Sequence, residues 1–342
     1  MTFSILSWNV NGEGGISDET KEKQLGFLRE HAPEVDVFLF QAVNYEQDDT
    51  EEWGGQLEAL QRYFATRGYE SVHTADWASE LSESEVQPQQ HIHGPHDRCT
   101  VTVSRWPIER TPLSLRDKGE AYPRKLSLFT TLFPEKLLVS EIDVSEEGSC
   151  SSSTIEVWNV GIIHGAGWGE EKLNMLETVY SRIYVQNTKT GRPLILGGDF
   201  NAPKKEAAGE TTPHGNNKPR YTNYPFYGEP YYFGESADSG DEFSFKDRWQ
   251  RAERNIFDSE VSEWAMTDAY WAPEASLRKS SEEDYTHVIP SATPSRKRLD
   301  HIFLSDQFTV QHCEIWNGKG NTPDGRNPSD HAPVFAEVQI TG

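Results

Sequence analysis

The sequence predicts a single domain of the α/β class, built as a layered sandwich in which strands outnumber helices. Several short segments, such as residues 35–40, are almost continuously apolar, which is typical of strands covered on both faces. Helical segments lie between them, as where Leu173, Leu176, Val179 and Ile183 recur at spacings of three and four. Neither an internal repeat nor a clear boundary divides the 342 residues, a length that one α/β core can accommodate.

The N-terminal third predicts two strand–helix pairs. Residues 3–10 form the first strand, and the helix that follows is capped by Ser17 or Asp18 and ends near Ala32. The second strand covers residues 35–40. The second helix is indicated by apolar residues at helical spacing before Gly68, namely Leu57, Leu60 and Phe64.

The middle and the tail of the chain are richer in strands. A polar segment at residues 145–153 predicts a hairpin loop, and the helix that contains Leu173 is closed by Gly191. The next strand, residues 194–196, runs directly into the sequence GGD. The other predicted strands cover residues 100–104, 126–132, 137–144, 155–163, 299–304, 310–316 and 334–340.

Residues 204–248 differ from the rest of the chain. They are rich in Gly, Pro, Asn and aromatic residues, and no period of 2 or 3.6 runs through them. A loop of this length inside a compact domain is usually functional or disordered, and its aromatic content argues against full disorder. We therefore predict one domain over residues 1–342 with an aromatic-rich insertion at about 204–250.

Charge and cysteine content limit the partners and the compartment. Lys and Arg number 32 against 55 Asp and Glu, a formal net charge of −23, which opposes loose, charge-driven binding to nucleic acid. A local basic cleft or bound metal ions can reverse the field at a site. Cys99, Cys150 and Cys313 are widely spaced and fit inert thiols. Because no 18-residue apolar run and no signal-peptide pattern occur, we expect no membrane span and a cytoplasmic location.

Four segments carry the side chains that phosphoester hydrolysis requires. This chemistry needs oxygen ligands for a metal, an oriented water and donors for a charged transition state. The first strand runs into SWNVNG at residues 7–12, and a later strand ends in His164. In GGDFN, Asp199 and Asn201 lie two residues apart and so face one side of an extended chain. The tail adds RLDHIF at residues 298–303 and PSDHAPV at residues 328–334.

Each segment alone is an ordinary turn or loop sequence, but their order is distinctive. Together they resemble the endonuclease/exonuclease/phosphatase superfamily, whose marks include W-N near the start, L-Q-E at a strand end, G-D-F-N, R-(I/L)-D-Y-I-F and S-D-H-x-P-V. The resemblance spans residues 3–338, and the weaker matches SRWPI at 104–108 and YTH at 285–287 agree with it. It implies a DNase I-like four-layered α/β sandwich that hydrolyses phosphoesters with a divalent metal.

The resemblance also implies a role for each matching residue. Asn9 would help to organise the metal site and Asp330 would be a metal ligand, and oxygen ligands of this kind favour Mg²⁺ or Mn²⁺ over Zn²⁺. The residues implied to be catalytic are His164, Asp199, Asn201, Asp300 and His331.

The resemblance implies that some of the catalytic residues orient the attacking water and that others contact the phosphate. Asp199 and Asn201 would orient the attacking water and hold the phosphate or the metal, while His164 would donate to a phosphate oxygen. His331 would act as an acid/base or phosphate donor, with Asp300 fixing its tautomer and raising its basicity.

One position departs from the resemblance. The second strand ends in FQAV where the superfamily has L-Q-E, so Ala42 stands in place of the Glu that binds the principal metal. Losing a carboxylate should weaken the binding of a hard cation severely. Three explanations stay open: Ala42 is an engineered inactivating change, the chain is a non-catalytic relative that binds a phosphorylated partner, or a nearby acid, Glu46 or Glu13, replaces the ligand. His301, where the superfamily has Tyr, is assigned no catalytic role.

Basic and aromatic residues near these motifs predict substrate contacts. The aromatic insertion can stack unpaired bases or pack as a small core under the loop. Our first prediction is a nuclease or DNA-repair phosphodiesterase with nucleic acid as substrate. The alternatives are a phosphatase or phosphodiesterase for small or lipid phosphates, and a non-catalytic phosphate-binding relative; no obligate protein partner is predicted. The residues predicted to bind substrate are Asn11, Arg105, Lys204, Arg220, Tyr224 and Arg298.

Overall fold

The fold was analysed in a computed structural model of the chain. The structure describes residues 1–12, 16–45, 55–77, 98–111, 131, 133–145, 154–164, 169–202, 245–258, 262–272, 285–289 and 295–341. Most of the predicted strand at 126–132, the hairpin loop from residue 146 onward and residues 203–244 of the predicted insertion lie outside these ranges. The prediction of one domain with an insertion therefore stays a prediction.

Strands dominate the described residues, as predicted. The helices are α1 (Asp18–His31), α2 (Gln56–Ala65), α3 (Gly169–Thr190) and α4 (Phe245–Phe257), with 3-10 turns at Pro134–Lys136 and Ala269–Trp271. The strands are β1 (Thr2–Asn9), β2 (Val37–Asn44), β3 (Glu70–His73), β4 (Arg98–Ser104), β5 (Ile108–Arg110), β6 (Leu137–Asp143), β7 (Thr154–Gly161), β8 (Leu194–Asp199), β9 (Met266–Asp268), β10 (His287–Ile289), β11 (Ser295–Lys297), β12 (Asp300–Ser305), β13 (Phe308–Ile315) and β14 (Val334–Ile340).

Two six-stranded sheets form the centre of the fold. The first has the order β13-β14-β1-β2-β4-β3, and the second has the order β5-β6-β7-β8-β12-β9. Most neighbouring strands are antiparallel, but β1 runs parallel to β2 and β7 runs parallel to β8. Strands β10 and β11 pair separately as a short antiparallel ribbon.

Three apolar clusters hold the sheets and helices together as layers. The cluster between the sheets joins residues such as Ile5 and Leu39 to Ile195 and Ile302. The other two clusters lie on the outer faces, one with the side chains of α1 and α2 and one with those of α3 and α4. The order of layers is therefore helices, sheet, sheet, helices, which confirms the predicted four-layered α/β sandwich.

Alternation along β1 explains why this strand reads as continuously apolar. Phe3 and Ile5 belong to the cluster between the sheets, whereas Leu6 and Trp8 belong to the cluster under α1 and α2. Successive side chains of a strand point to opposite faces, so a strand covered on both faces needs apolar residues at odd and even positions. The predicted strands at residues 3–10, 35–40 and 194–196 are confirmed on this basis.

The predicted helices are confirmed, including the first N-cap. The Ser17 hydroxyl accepts a hydrogen bond from the Thr20 backbone N–H, and α1 ends at Ala32. Helix α3 buries Leu173, Leu176 and Ile183 against the second sheet.

Helix α4 and the shortest strands were not predicted. Helix α4 overlaps the end of the predicted insertion and buries Trp249, Ala252 and Ile256, which lie at helical spacing. This helical spacing was not recognised because it directly follows a long segment without periodicity. Strands β3, β5, β9, β10 and β11 have only three or four residues each, too few to establish a period.

Two glycines before Asp199 allow β8 to pack closely. A β-carbon on Gly197 would collide with the Leu39 side chain of the opposite sheet. A β-carbon on Gly198, whose φ is +145°, would overlap the backbone carbonyl of Val160 on β7. Glycine is therefore required where the strand that carries Asp199 passes its neighbours.

We expect Gly198→Ala to destabilise the fold, because the added methyl meets rigid backbone and the φ angle is unfavourable for alanine. The free energy of unfolding, measured by urea denaturation, should fall by about 2 kcal/mol or more. Gly26→Ala is the matched control: the site lies inside α1 with open space around it, and the change should stabilise by up to about 1 kcal/mol. Equal effects of the two changes would contradict this account.

Candidate active site

The layer between the two sheets changes from apolar to polar at one end. On β1, the inward positions run from Phe3 and Ile5 to Asn9, and on β8 they run from Ile195 to Asp199. Strand β12 is antiparallel to β8, so its first residue, Asp300, pairs with Asp199 in the register of the sheet. Strand parity and register thus bring the polar residues of separate motifs to the same end of the sandwich.

Asp199 lies at the centre of this polar end and accepts hydrogen bonds from both sheets. Asn9 of the first sheet donates from Nδ2 to Asp199 Oδ2 at 2.9 Å. Asn201 donates its backbone N–H to Asp199 Oδ1 at 2.8 Å and its Nδ2 to Oδ2 at 3.2 Å. The Asn201 Nδ2 also donates to the Ile162 carbonyl at 2.9 Å, which ties this loop to the end of β7. The predicted grouping of Asn9, Asp199 and Asn201 is therefore observed.

Three residues at this end of the fold adopt left-handed backbone conformations. Asn11, Ala42 and Asn201 have φ values of 44°, 54° and 49°. Asn11 donates its backbone N–H to Asn9 Oδ1 at 2.9 Å, and Gly12 donates to the Ala42 carbonyl at 2.7 Å. A side chain at Gly12 would collide with that carbonyl, which explains the glycine of the SWNVNG motif. Such conformations cost energy outside glycine and concentrate at functional sites.

His331 and Asp300 form a buried pair next to Asp199. Asp300 Oδ2 lies 2.8 Å from His331 Nδ1, and both side chains are less than a tenth exposed. Thr286 Oγ1 accepts the backbone N–H groups of Leu299 and Asp300 at 2.9 and 3.2 Å, which holds the start of β12 in place. The potential ligand atoms of Asp199, Asp300 and His331 all lie within 4.8 Å of one another.

The charges in this group raise two pKa values. Burial alone would lower the pKa of His331, but the carboxylates of Asp300 and Asp199 outweigh it and raise the pKa to about 10. Burial, reinforced by the charge of Asp300, raises the pKa of Asp199, although His331 and hydrogen bonds from Asn201 and Asn9 oppose the rise. The imidazole is thus charged at neutral pH, and Asp199 is a stronger base than an exposed carboxylate.

A second histidine stacks on His331. The rings of His287 and His331 lie 4.4 Å apart at an angle of 29°, and His287 Nδ1 lies 3.1 Å from the Asp330 carbonyl oxygen. Asp330 itself is exposed, and its carboxylate lies 3.9 Å from His287 Nδ1. The sequence assigned no role to His287. The sequence does contain a cue to this residue: the YTH segment at residues 285–287 resembles the Y-T-W of the superfamily, with His287 in place of the Trp.

A cavity of about 120 Å³ opens beside this polar end. Its lining includes five predicted site positions: Asn9, Ala42, His164, Asp199 and Asn201. His164 is exposed at this opening. The lining also contains residues that the sequence did not single out, among them Arg98, Cys99, Thr100, Phe133 and Lys136. Burial raises the pKa of the Cys99 thiol, so this cysteine is an inert wall residue rather than a nucleophile.

Two predicted substrate contacts are not supported by the structure. Arg105 follows the far end of β4 and donates to Tyr69 Oη at 2.9 Å, with Glu34 at 3.1 Å, so it belongs to another edge of the sheet. Arg298 is buried, pairs with Asp268 at 2.7 Å and packs over the Tyr270 ring at 4.5 Å. Both guanidinium groups are used in structural contacts.

The other predicted contacts have mixed outcomes. Asn11 lies beside the site, where its backbone N–H supports Asn9. His301 is buried between the Asp268 carboxylate at 3.2 Å and the Ala202 carbonyl at 2.9 Å, which agrees with a structural role. The remaining predicted residues lie outside the described part of the chain: Glu13, Glu46, Lys204, Arg220 and Tyr224.

Among the described residues, those around Ala42 do not fit the principal metal site that the resemblance implies. Ala42 has no side-chain ligand atom, Asn9 Oδ1 already accepts from the Asn11 N–H, and both carboxylate oxygens of Asp199 accept amide hydrogen bonds. A hard divalent cation needs several oxygen ligands, usually including carboxylates. Two groups of side chains have potential ligand atoms within 4.8 Å of one another: His287, Asp330 and His331, and Asp199, Asp300 and His331. Both contain His331, whose charged imidazole would have to lose its proton before it could bind an ion.

Comparison with known proteins supports the resemblance that the motifs carry. The model of the Endonuclease/Exonuclease/phosphatase family matches residues 6–331. The chain belongs to the endonuclease/exonuclease/phosphatase family. The match covers all of the segments that carry the resemblance, from SWNVNG to the Asp330–His331 pair. A sequence search of the curated proteins found no match.

Solved structures of this family share the fold at low sequence identity. Truncated Caenorhabditis elegans TDP2 is 12% identical, with 100% of this chain and 98% of that chain covered and a TM-score of 0.53. D. rerio TDP2 complexed with single strand DNA product is 12% identical, with 99% of each chain covered and a TM-score of 0.51. The human Nocturnin catalytic domain with bound sulfate anion is 15% identical, with 99% and 95% covered and a TM-score of 0.52.

The TM-scores support the DNase I-like fold. At these low identities the comparison does not identify a substrate, which has to be inferred from the site. In the described part of the chain, no helix combines the length and the hydrophobicity needed to cross a membrane.

We expect Asp300→Asn to lower the pKa of His331 strongly, because the carboxylate that stabilises the imidazolium is removed. In the unchanged protein, the His331 ring signal in histidine-labelled NMR spectra should titrate near pH 10. The raised pKa also means that the stabilisation from this ion pair is complete below pH ~6.5 and is lost as pH rises through about 10. His331→Gln identifies the signal. A midpoint below pH ~7 in the unchanged protein would contradict the buried ion pair.

Proposed function

We propose that this chain is a phosphodiesterase that acts on nucleic acid. The observation that supports this most directly is the pairing of a buried, hydrogen-bonded carboxylate, Asp199, with a charged, buried imidazole, His331, at the polar end of the sandwich. Family members are generally phosphoester hydrolases. A neighbour in fold, the D. rerio TDP2 structure, holds a single strand DNA product, which makes nucleic acid the first substrate class to test.

Asp199 is the best-placed group to activate water. It is the buried carboxylate that lines the cavity, and its raised pKa makes it a better proton acceptor. In the proposed step, a water bound at Asp199 attacks phosphorus and its proton passes to the carboxylate. Asn9 and Asn201 hold the two carboxylate oxygens from opposite sheets, so the base is preoriented.

His331 supplies the complementary charge. Its imidazolium lies within reach of Asp199 and stabilises the negative charge that develops on the phosphate oxygens. As the bond from phosphorus to the leaving oxygen breaks, His331 gives its proton to that oxygen, so each proton is accounted for. Asp300 accepts a hydrogen bond from His331 Nδ1 and keeps the ring orientation fixed. His164, exposed in the cavity lining, is the additional phosphate donor.

Ala42 supports a second candidate function, that of a phosphate-binding protein without turnover. Members of the matched family are generally hydrolases, but this chain has Ala42 where the resemblance assigns a carboxylate to the metal. Such a protein would use the same cavity and the same amide groups to bind a phosphorylated partner. Turnover assays separate the two candidates.

We expect Asp199→Asn and His331→Gln each to reduce cleavage of a labelled single-stranded DNA by about 10²–10⁴-fold, because each removes a proton-transfer group. Gel assays should use single- and double-stranded DNA, RNA, and an inositol phosphate or lipid phosphate as the alternative substrates. Asp306→Asn and His312→Gln are the matched controls, since both side chains are exposed outside the site. Full activity of either site variant would remove the proposed mechanism.

We expect Ala42→Glu to lower the Mg²⁺ or Mn²⁺ concentration required for cleavage by about tenfold or more, because it restores a carboxylate ligand. Both proteins would be assayed across a metal titration, with EDTA as control. If only the Glu variant cleaves, Ala42 is a disabling change in a hydrolase. If the unchanged protein cleaves as well as the variant, another acid completes the site, and Glu46 is the next residue to change. Binding without cleavage by both proteins supports the non-catalytic candidate.

A further inference from the structure

Two cationic side chains line the cavity that also contains Asp199 and Asn201. Arg98 begins β4, and Lys136 ends the 3-10 turn Pro134–Lys136. Both line the same cavity as Ala42 and Asp199. In a chain with a formal net charge of −23, the described lining thus sets two cations against one carboxylate. This local reversal of charge is what an anionic ligand requires.

Arg98 lies opposite the irregular part of β2 that contains Ala42. In the β2–β4 register, Asn44 pairs with Arg98 and Val43 with Cys99, and the pairing then shifts between Val43 and Phe40. The left-handed φ of Ala42 lies within this shift. A bulge of this kind redirects the side chain it carries. Residue 42 and Arg98 therefore belong to one side of the cavity.

Lys136 is held at the cavity by a fixed turn. The carbonyl of Glu135 accepts a hydrogen bond from Thr100 Oγ1 at 2.6 Å and another from the Thr74 hydroxyl. Thr100 also donates its backbone N–H to Thr74 Oγ1 at 3.0 Å. These buried hydroxyls attach the turn to β4, so Lys136 does not depend on a free loop for its position. The Glu135 carboxylate is not part of the described cavity lining.

Lys136 acts electrostatically on one residue of the cavity lining. Burial raises the pKa of the Cys99 thiol; Lys136 is the group that most opposes this rise, whereas the charges of Glu135 and Asp76 reinforce it. Cys99 and Phe133 are both buried and line the same cavity as the two cations and the amide groups. A phosphate in this space would therefore contact a low-dielectric wall, where a cation attracts it more strongly than in water.

We infer that Arg98 and Lys136 form an anion-binding wall that binds the substrate phosphate without a metal ion on the Ala42 side. The inference rests on the proposed phosphoester substrate and specifies how it is bound. The resemblance places a carboxylate and its metal ion at position 42. Here the carboxylate is absent, and two fixed cations stand in the same cavity. Guanidinium and ammonium groups bind phosphate through charge-assisted hydrogen bonds.

In this arrangement, the neutral side chain of Ala42 leaves the two cations available to phosphate. A Glu at this position would add a negative charge to the wall and so compete with the phosphate for the two cations. Metal-free phosphate binding should therefore depend on three positions together: on the cations at 98 and 136, and on the neutral methyl at 42.

The test is the affinity for inorganic phosphate and for thymidine 5′-monophosphate in buffer containing EDTA, measured by calorimetry on the whole chain. We expect Arg98→Met and Lys136→Met each to weaken binding by about tenfold. Ala42→Glu should also weaken metal-free binding by about tenfold, while it strengthens the response to Mg²⁺. Arg105→Met and Lys23→Met, which remove the same charges elsewhere on the surface, should leave the affinity unchanged.

The outcomes distinguish this inference from the proposed function. If the variants at 98 and 136 remain folded by circular dichroism and bind both ligands as tightly as the unchanged protein, the wall does not exist, whatever the cleavage assays show. If Arg98→Met does not fold, the test rests on Lys136→Met and Ala42→Glu. Unchanged metal-free affinity for both ligands in these two variants also overturns the inference. Loss of metal-free binding in the variants supports the wall even if no substrate is cleaved. Phosphate binding that appears only with Mg²⁺ also overturns it.

Discussion

The hydrogen bond from Asn9 to Asp199 joins the two sheets at the point where the layer between them becomes polar. Buried polar groups without partners are costly, so the sheets can close at this end only if their amides and carboxylates pair across the gap. A second pair of amides, Gln41 and Asn159, makes the same kind of link at 2.8 Å. The position of Asp199 is therefore a condition of closing the sandwich, and not an addition to a finished fold.

The same requirement explains the unusual backbone around the site. The loops after β1 and β8 and the irregular part of β2 each contain a left-handed residue, and glycines at 12 and 198 let backbones approach where a side chain would collide. These conformations are unfavourable one by one. They are maintained because the surrounding strands are buried on both faces and their ends are tied together by hydrogen bonds. Function and packing thus depend on the same short segments.

Charged groups concentrate around the candidate site. Asp199 and Asp300 keep the buried His331 cationic, while Arg98 and Lys136 bring positive charge to the cavity of a strongly acidic chain. Positive charge close to a carboxylate is suited to a phosphate whose negative charge increases during attack. The absence of a carboxylate at position 42 is consistent with this arrangement, because charge is supplied by the chain itself.

The layers of the fold and the motif segments could be predicted from the sequence. Apolar patterning is local, so the buried strand before Asp199 could be predicted directly. Asn201, however, meets Asp199 through a left-handed turn after the strand and not through an extended chain. Cap and spacing rules likewise identified α1 through Ser17. The short strands were not predicted because three or four residues are too few to establish a period. Helix α4 was not predicted because the residues before it show no periodic pattern.

Which charged residues line the candidate site could not be predicted without the packing of the two sheets. Arg105 and Arg298 lie beside motifs in the sequence yet are engaged elsewhere, whereas Arg98 and Lys136 carry no motif and line the cavity. His287 stacks on His331 from a distant strand. The physical reason is that register between strands and the packing of one sheet on another join residues far apart in the chain, and no local spacing rule encodes those contacts.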